Sequence, residues 1–236
     1  CNPWNLYYCI YVQLLSGLPV TSHMSYAELH CLSCYSFLRS ASHPHELVEH
    51  AAKLGYRALA ITDECSFAGI VKAHVAAKAA GIQLLIGSEL LLEEGLRLVA
   101  LVPSRAAYSE LSGLISMARR RSPKGEYRVA LRDVIFHLKR CLIIWLPQRD
   151  DDNTRAYGLQ LSRLCKGRLW LGVSHLLGND EVRRYLALHA LARELDIPMV
   201  ACGDVRMHVA SRKPLHDVFT ALYHNTSVAQ LGRRRM

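Results

Sequence analysis

The sequence lacks the paired cysteine motifs of a zinc ribbon. Its eight cysteines are scattered over 236 residues, and only Cys31-Leu32-Ser33-Cys34 has the C-x-x-C spacing. A zinc ribbon needs a second such pair, and a thioredoxin-like redox motif fits the spacing but not the sequence that surrounds it. Cys141 and Cys202 lie in apolar, strand-like runs, where cysteine behaves as a small buried hydrophobic residue. The cysteine pattern therefore favours a reducing, cytoplasmic location.

The sequence also lacks a recognisable membrane span or cleavable leader. The apolar stretch Trp4–Val20 is short for a span and contains polar residues. Residues 1–23 have neither a basic segment nor a clear small-residue cleavage site. Met24 directly precedes the first predicted strand and is a candidate natural start, so we treat residues 1–23 as an N-terminal extension of undetermined role. We expect no membrane association.

Acidic residues are scarce relative to basic ones, since 20 Asp and Glu stand against 29 Lys and Arg, for a formal net charge of +9. This balance fits a protein that works near a polyanion, although charge alone fits equally a basic domain with no anionic partner. The clusters Arg119–Arg121 and Arg233–Arg235 contain no interleaved aromatic residues, so neither resembles a stacking platform for single strands. The 51% of hydrophobic residues excludes disorder as the main state.

From Tyr26 onward, short apolar runs alternate with amphipathic segments. Predicted strands cover residues 26–30, 58–62, 84–86, 97–102, 139–145, 169–173 and 198–202. Predicted helices cover residues 42–54, 67–80, 108–120, 153–165 and 180–195, with a basic loop and a short helix in 121–138. Strand–helix units joined by short crossovers predict a parallel α/β fold, and about seven of them favour a closed barrel over an open sheet.

The helix after the first strand carries signals for both of its ends. Ser42 is the expected N-cap, because its hydroxyl can accept from a free N–H of the first turn. Pro44 falls in that first turn, where a missing N–H costs nothing. Gly55 is expected to end the helix.

Residues of the types that bind metal ions lie at the C-terminal ends of five of the predicted strands. They are His30, the pair Asp63-Glu64, Glu89, His175 and Asp204. In a barrel of this kind the site lies where the C-terminal ends of the strands open, and carboxylates with imidazoles are the ligand set for zinc, manganese or iron. Each residue alone could simply cap a neighbouring turn. Five of them at equivalent positions favour a shared site.

These residues carry a resemblance to a known family. The segment from Tyr26 to Ser36 resembles the first motif, H-x-H-S-x-x-S, of the PHP (polymerase and histidinol phosphatase) family, and Ile61–Glu64 resembles its T-D-H motif. Gly87–Glu89 resembles the glycine-x-glutamate strand end, and Gly203–Arg206 the final D-x-H motif. The resemblance covers about residues 26–232 and implies an α/β fold, a distorted (β/α)7 PHP-type barrel occupying residues 24–222.

The sequence departs from this pattern at positions that would supply metal ligands. Leu32, Arg39, Arg97 and Arg206 replace expected ligands, and Glu64 replaces the histidine of T-D-H. His30, Glu89 and Asp204 are retained, with Glu64 and His175 as candidate substitutes and Asp63 adjacent. Arginine stays protonated and repels divalent cations. The resemblance therefore implies a degenerate site, with zinc or manganese at low occupancy, and we favour arginine–carboxylate pairs in place of metals over a residual metal site.

The segments 30–42 and 203–222 resemble the error-prone branch of the bacterial C-family DNA polymerases. That branch implies a barrel preceding the palm and thumb domains of a DNA-directed DNA polymerase that acts in damage-tolerant repair synthesis. The palm carboxylates and their Mg²⁺ are not in this sequence, residues 223–236 resemble the linker toward the palm, and no cofactor is expected in this chain itself.

The implied partners are DNA through the parent polymerase, its own palm and thumb, and proteins of an error-prone repair complex. Two alternatives remain open. One is a free-standing metal-dependent phosphoesterase or 3′–5′ exonuclease, and the other is a purely structural domain with no chemistry.

Overall fold

The computed structural model describes residues 26–148, 151–174 and 181–232. The predicted extension 1–23, His175 and the arginine cluster 233–235 lie outside the described residues. The expected linker is described as far as residue 232.

A seven-stranded sheet, ordered β1 to β7 along the chain, forms the centre of the fold. The strands are β1 Ala27–Cys31, β2 Ala58–Ile61, β3 Gln83–Leu91, β4 Arg97–Leu101, β5 Leu142–Trp145, β6 Leu169–Val173 and β7 Met199–Ala201. The helices are α1 Pro44–Lys53, α2 Ile70–Ala80, α3 Arg105–Arg120, α4 Leu131–His137, α5 Asp152–Leu164, α6 Glu181–Glu194 and α7 Lys213–Tyr223, with 3₁₀ turns at Ala210–Arg212 and Val228–Gln230. The predicted strand–helix alternation and α/β barrel are confirmed.

The expectation of uniformly parallel strands is wrong at β4. This strand pairs antiparallel with both β3 and β5, whereas the other neighbouring strands pair in parallel. The connection 92–96 between β3 and β4 is too short for a crossover, because parallel neighbours need a dozen or more connecting residues. The N-terminal end of β4, at Arg97, therefore lies at the edge where the other strands have their C-terminal ends.

The barrel is closed between β1 and the segment that follows β7. Leu32 N donates to Val205 O at 2.9 Å, and Val205 N donates to His30 O at 3.0 Å. Gly203 N also donates to the Glu28 carboxylate at 2.8 Å. These bonds bring the first and last motifs of the chain side by side.

Buried apolar side chains fill the barrel and pack the helices onto it. Small and branched residues such as Ala60, Val99 and Ile144 form the interior cluster. A second cluster packs α1 and α2 against β1 and β2, and a third packs the helices of the later half against β3 to β6. No helix of the described chain is both long and apolar enough to cross a membrane.

The N-cap of the first helix lies one residue later than predicted. His43 is the N-cap, and its N–H donates to the Glu46 carboxylate at 2.8 Å. Ser42 cannot serve as the cap because its hydroxyl is engaged by His208, whose Nδ1 lies 2.7 Å away and whose backbone N donates to it at 3.0 Å. Pro44 in the first turn is confirmed, and Gly55 follows the helix with φ of 74°.

Helix α7 buries the imidazole of His216. The side chain is 1% exposed, and within the described chain neither ring nitrogen has a hydrogen-bond partner of good geometry, although the backbone of Arg39 lies near enough to oppose part of the fall in pKa. Burial, together with the positive charges of Arg206 and Lys213, lowers the pKa of His216 below its usual value. The ring is therefore neutral in the folded protein at neutral pH.

This imidazole makes stability depend on pH. The unfolded ring takes up a proton as the pH falls through about 6.5, while the folded ring resists protonation, so the free energy of unfolding falls below that pH. His216→Phe is expected to reduce this loss, as measured by urea denaturation between about pH 7.5 and about pH 5. His224→Phe, at an exposed position beside the same helix, is the control. Identical pH profiles for wild type and His216→Phe would contradict the assignment.

Candidate functional site

A β-bulge directs His30 into the mouth of the barrel. In the register of β1 against β2, Glu28 pairs with Leu59 but Cys31 pairs with Ile61, so one extra residue is present in β1. Strict alternation from Ala27 would turn residue 30 outward. The bulge places the imidazole inward instead, in the manner of bulges that re-aim side chains beside functional sites.

Glu89, near the end of β3, is the central carboxylate of the mouth. It is 1% exposed, and its Oε2 lies 2.6 Å from His30 Nε2. Arg39 Nη1 donates to Oε1 at 2.5 Å, and Arg97 Nε donates to Oε2 at 2.9 Å. Burial alone would raise the pKa of Glu89, but the hydrogen bond with His30 and the charges of both arginines outweigh it, so the pKa lies well below its usual value. Glu89 is ionised.

Asp204 is the second carboxylate of this network. Arg97 Nη2 donates to its Oδ1 at 2.9 Å, and Arg206 Nη2 donates to its Oδ2 at 3.2 Å. Burial opposes ionisation, but the charges of His30, Arg206 and Arg97 lower the pKa of Asp204 well below its usual value. The preceding Gly203 is required by close approach, because a Cβ there would lie 2.2 Å from Glu28 Oε2.

Glu64 extends the network to the outer side of the mouth. Arg39 Nη1 donates to its Oε2 at 2.6 Å, and the Tyr127 hydroxyl donates to its Oε1 at 2.7 Å. Burial, followed by the Glu64 charge, raises the pKa of Tyr127, which keeps the phenol a donor. Arg119 Nη2 donates to the Glu64 carbonyl at 3.2 Å, and its guanidinium lies 5.1 Å from the Tyr127 ring centroid.

The sequence analysis does not identify Tyr127 as part of the mouth. In the cluster Arg119–Arg121, Arg119 contacts the backbone behind Glu64, and Arg121 pairs with Asp133. Arg120 is exposed. The cluster therefore does not form one uniform basic patch. Tyr127 follows a basic loop and carries no spacing signal that links it to the barrel motifs.

Asp63 and Leu32 take no part in the arginine network. Asp63 accepts from Ser33 N at 2.7 Å and from the Ser33 and Ser36 hydroxyls at 2.6 and 2.7 Å. Burial raises the pKa of Asp63, and these serine donors oppose the shift. Leu32, at an expected ligand position, is fully buried and offers no donor atom.

The mouth thus combines three guanidiniums with three carboxylates around one imidazole. His30, Glu89 and Asp204 each offer a ligand atom within 4.8 Å of the others, so together they form a group that could hold a metal ion. All four oxygens of Glu89 and Asp204, however, already accept from arginine N–H groups. Among the residues that the structure describes, His30 Nδ1 has no hydrogen-bond partner, and it lies 3.6 Å from Asp204 Oδ1. A cation would have to displace guanidiniums to bind, so the residues present fit a metal poorly.

The chain is similar to curated bacterial proteins. It is 53% identical over 211 residues to "Error-prone DNA polymerase" of Saccharophagus degradans, and 52% identical over 214 residues to the protein of that name from Teredinibacter turnerae. Each match covers 89% of this chain and 20% of the relative. The chain therefore spans about one fifth of the length of the curated relatives it matches.

Solved structures share the fold. A putative metal-dependent phosphoesterase from Bifidobacterium adolescentis has a TM-score of 0.56 at 17% identity, covering 79% of this chain and 89% of that one. An amidohydrolase from Chromobacterium violaceum, described "with bound SO4, no metal", has a TM-score of 0.59 at 17% identity, covering 78% and 88%. The sequence profile of the PHP domain matches residues 28–149, more than half of the chain. With motifs, barrel and profile in agreement, this chain belongs to the PHP domain family.

Proposed function

We propose that this chain is the PHP domain of an error-prone DNA-directed DNA polymerase acting in damage-tolerant DNA repair synthesis, and that its role there is structural. The observation that carries the structural role is the guanidinium occupancy of both central carboxylates, Glu89 and Asp204. The polymerase assignment is supported by relatives about half identical over nearly the whole chain.

In this proposal arginines replace the metal ions of the barrel mouth. A catalytic PHP-type site would use bound cations to activate water and stabilise charge on a phosphoryl group. Here Arg39, Arg97 and Arg206 supply positive charge in fixed positions instead. A guanidinium, unlike a metal ion, does not bind a water molecule and make it a nucleophile. In this proposal the arginines and carboxylates of the mouth therefore stabilise the barrel and do not catalyse hydrolysis.

The parent enzyme supplies the remaining partners in this proposal. Nucleotide addition would use Mg²⁺ and palm carboxylates elsewhere in the polymerase, and DNA would be bound through the palm and thumb beside this barrel. Proteins of an error-prone repair complex are further proposed partners. We place the activity in the cytoplasm, in line with the free cysteines of the described chain, most of which are buried.

A free-standing phosphoesterase or 3′–5′ exonuclease is the alternative. The group of His30, Glu89 and Asp204 favours it, because three donors of suitable type converge. The displacement of guanidiniums that metal binding would require argues against it. The structural hypothesis and the phosphoesterase hypothesis predict different amounts of metal bound per chain.

Elemental analysis of the chain purified without chelator should find a substoichiometric content of zinc and manganese. The double variant Leu32→His with Arg206→His restores two ligand positions and is expected to bind metal weakly, because Arg39 and Arg97 still oppose a cation. About two or three equivalents of zinc or manganese per wild-type chain would favour the phosphoesterase hypothesis instead.

A further inference from the structure

We propose that the outer face of α4 binds single-stranded DNA through an exposed aromatic ring and its basic neighbours. The residues concerned are Arg132, Phe136 and Lys139, which we call the α4 surface. This surface lies away from the barrel mouth, because Lys139 precedes β5, and the first residue of β5 pairs with the last residue of β4, at the end of that strand opposite to Arg97. The choice of DNA as the nucleic acid rests on the proposed function, whereas the surface itself does not.

Phe136 lies on the face of α4 that points away from the core. Leu131 and Val134, on the other face, are buried, whereas Phe136 is 70% exposed. Arg132 is also exposed and lies one turn earlier, since residues four apart on a helix share a face. Lys139 Nζ lies over the ring, 5.7 Å from the centroid. The α4 surface is therefore an accessible aromatic ring bordered by two cations.

The two cations carry charge that the fold does not neutralise. Among the residues that the structure describes, neither Arg132 nor Lys139 forms an ion pair. Asp133 of α4 and Glu110 of α3 each pair with another arginine, and their side chains are only 13% and 14% exposed. They present little negative charge to the solvent, so the α4 surface remains positive and complements a polyanion.

A single strand of DNA matches both parts of this surface. Unpaired bases expose planar faces that stack on aromatic side chains, while the phosphates approach lysine and arginine. A duplex offers the phosphates, but its bases are already stacked on one another. An acidic protein surface would match the cations but leaves the ring without a planar partner. The run Arg119–Arg121 has no interleaved aromatic residue, whereas the α4 surface combines both features.

The test is fluorescence anisotropy of the whole chain, in chelator, with a labelled strand of about 12 thymidines, a length within the range that one binding site covers. Wild type is expected to bind this strand saturably. Phe136→Ala should weaken the affinity by about fivefold or more, the lower end of the effect of one stacked base. Phe37→Ala is the matched control, because Phe37 is 81% exposed on the loop after β1. It should leave the affinity unchanged, and circular dichroism checks that both variants fold.

An abasic strand of the same length separates stacking from charge. It presents the phosphates without bases, so wild type should bind it more weakly than the thymidine strand, and Phe136→Ala should not weaken that binding further. Lys139→Met should reduce the slope of log affinity against log salt by about 0.7, the value for one phosphate contact on a single strand. Lys78→Met, at an exposed position of α2, should leave the slope unchanged.

Three results would overturn the inference. The first is no weakening by Phe136→Ala beyond that of Phe37→Ala. The second is equal affinity of wild type for the thymidine and abasic strands, which would indicate a general attraction of a basic protein for phosphates. The third is tighter binding of a polyglutamate peptide than of the thymidine strand, which would assign the α4 surface to an acidic protein. None of them depends on the barrel mouth, where elemental analysis tests the proposed absence of metal separately.

Discussion

Replacing Arg97 with methionine is expected to lower the free energy of unfolding by about 3–5 kcal/mol, the typical cost of breaking a buried ion pair on one side. The guanidinium bridges Glu89, at 2.7 Å, and Asp204, at 2.9 Å. Its side chain is 13% exposed, and those of the two carboxylates are 1% and 7% exposed. Methionine keeps much of the volume but leaves two ionised carboxylates facing each other.

The matched control for this loss is Arg120→Met. Arg120 is exposed on α3, and exposed arginines contribute about 0–1 kcal/mol through surface pairs. Arg206→Met should lie between the two, because Arg206 contacts Asp204 at 3.2 Å without bridging to Glu89 in the described chain. Urea denaturation midpoints of the three variants give the comparison. Equal small shifts for Arg97→Met and Arg120→Met would mean that the network contributes nothing to stability.

The second large effect is expected from Glu89→Gln. The amide is close to isosteric, but it removes the charge that holds Arg39, at 2.5 Å, and Arg97. Two largely buried guanidiniums then lose a counter-charge, and we expect the free energy of unfolding to fall by about 3–5 kcal/mol at neutral pH. Glu126→Gln, at an exposed position, is the control and should change the free energy of unfolding little.

The pH profile of Glu89→Gln separates electrostatic from packing effects. The pKa of Glu89 is depressed in the folded state, so its contribution is present above the unfolded value of about 4.3 and is lost as the pH falls below it. The variant should therefore lose less stability than wild type between about pH 5 and about pH 3. A constant difference between the two proteins across that range would indicate a packing defect instead.

Much of the fold follows from local patterns in the sequence. The strands predicted at residues 58–62 and 169–173 are short apolar runs flanked by turn residues. Their positions agree with β2 and β6 of the structure. The sequence analysis misses the antiparallel β4 because it extends the parallel pairing of the other units to residues 84–102, although no helix is predicted between those two strands. The connection 92–96 is short and contains Gly95, with φ of 80°, and that turn was the available signal for a hairpin.

The mouth was predictable in its residue types but not in its geometry. A strictly parallel barrel would place Arg97 at the opposite end from Glu89, so the pairing of these residues depends on the reversed strand. The inward orientation of His30 depends on a bulge that alternating polarity does not reveal. Contacts such as that of Tyr127 with Glu64 join residues 63 positions apart, and single-sequence periodicity carries no information about such distant pairs.

We propose that guanidiniums occupy the positions of metal ions at the barrel mouth. A crystal structure of the chain soaked in zinc or manganese, with anomalous scattering measured at the metal edge, distinguishes the two occupants. We expect no anomalous peak among His30, Glu89 and Asp204, and we expect Arg97 to bridge the two carboxylates. A strong peak within bonding distance of those three side chains, with Arg97 displaced, would contradict it.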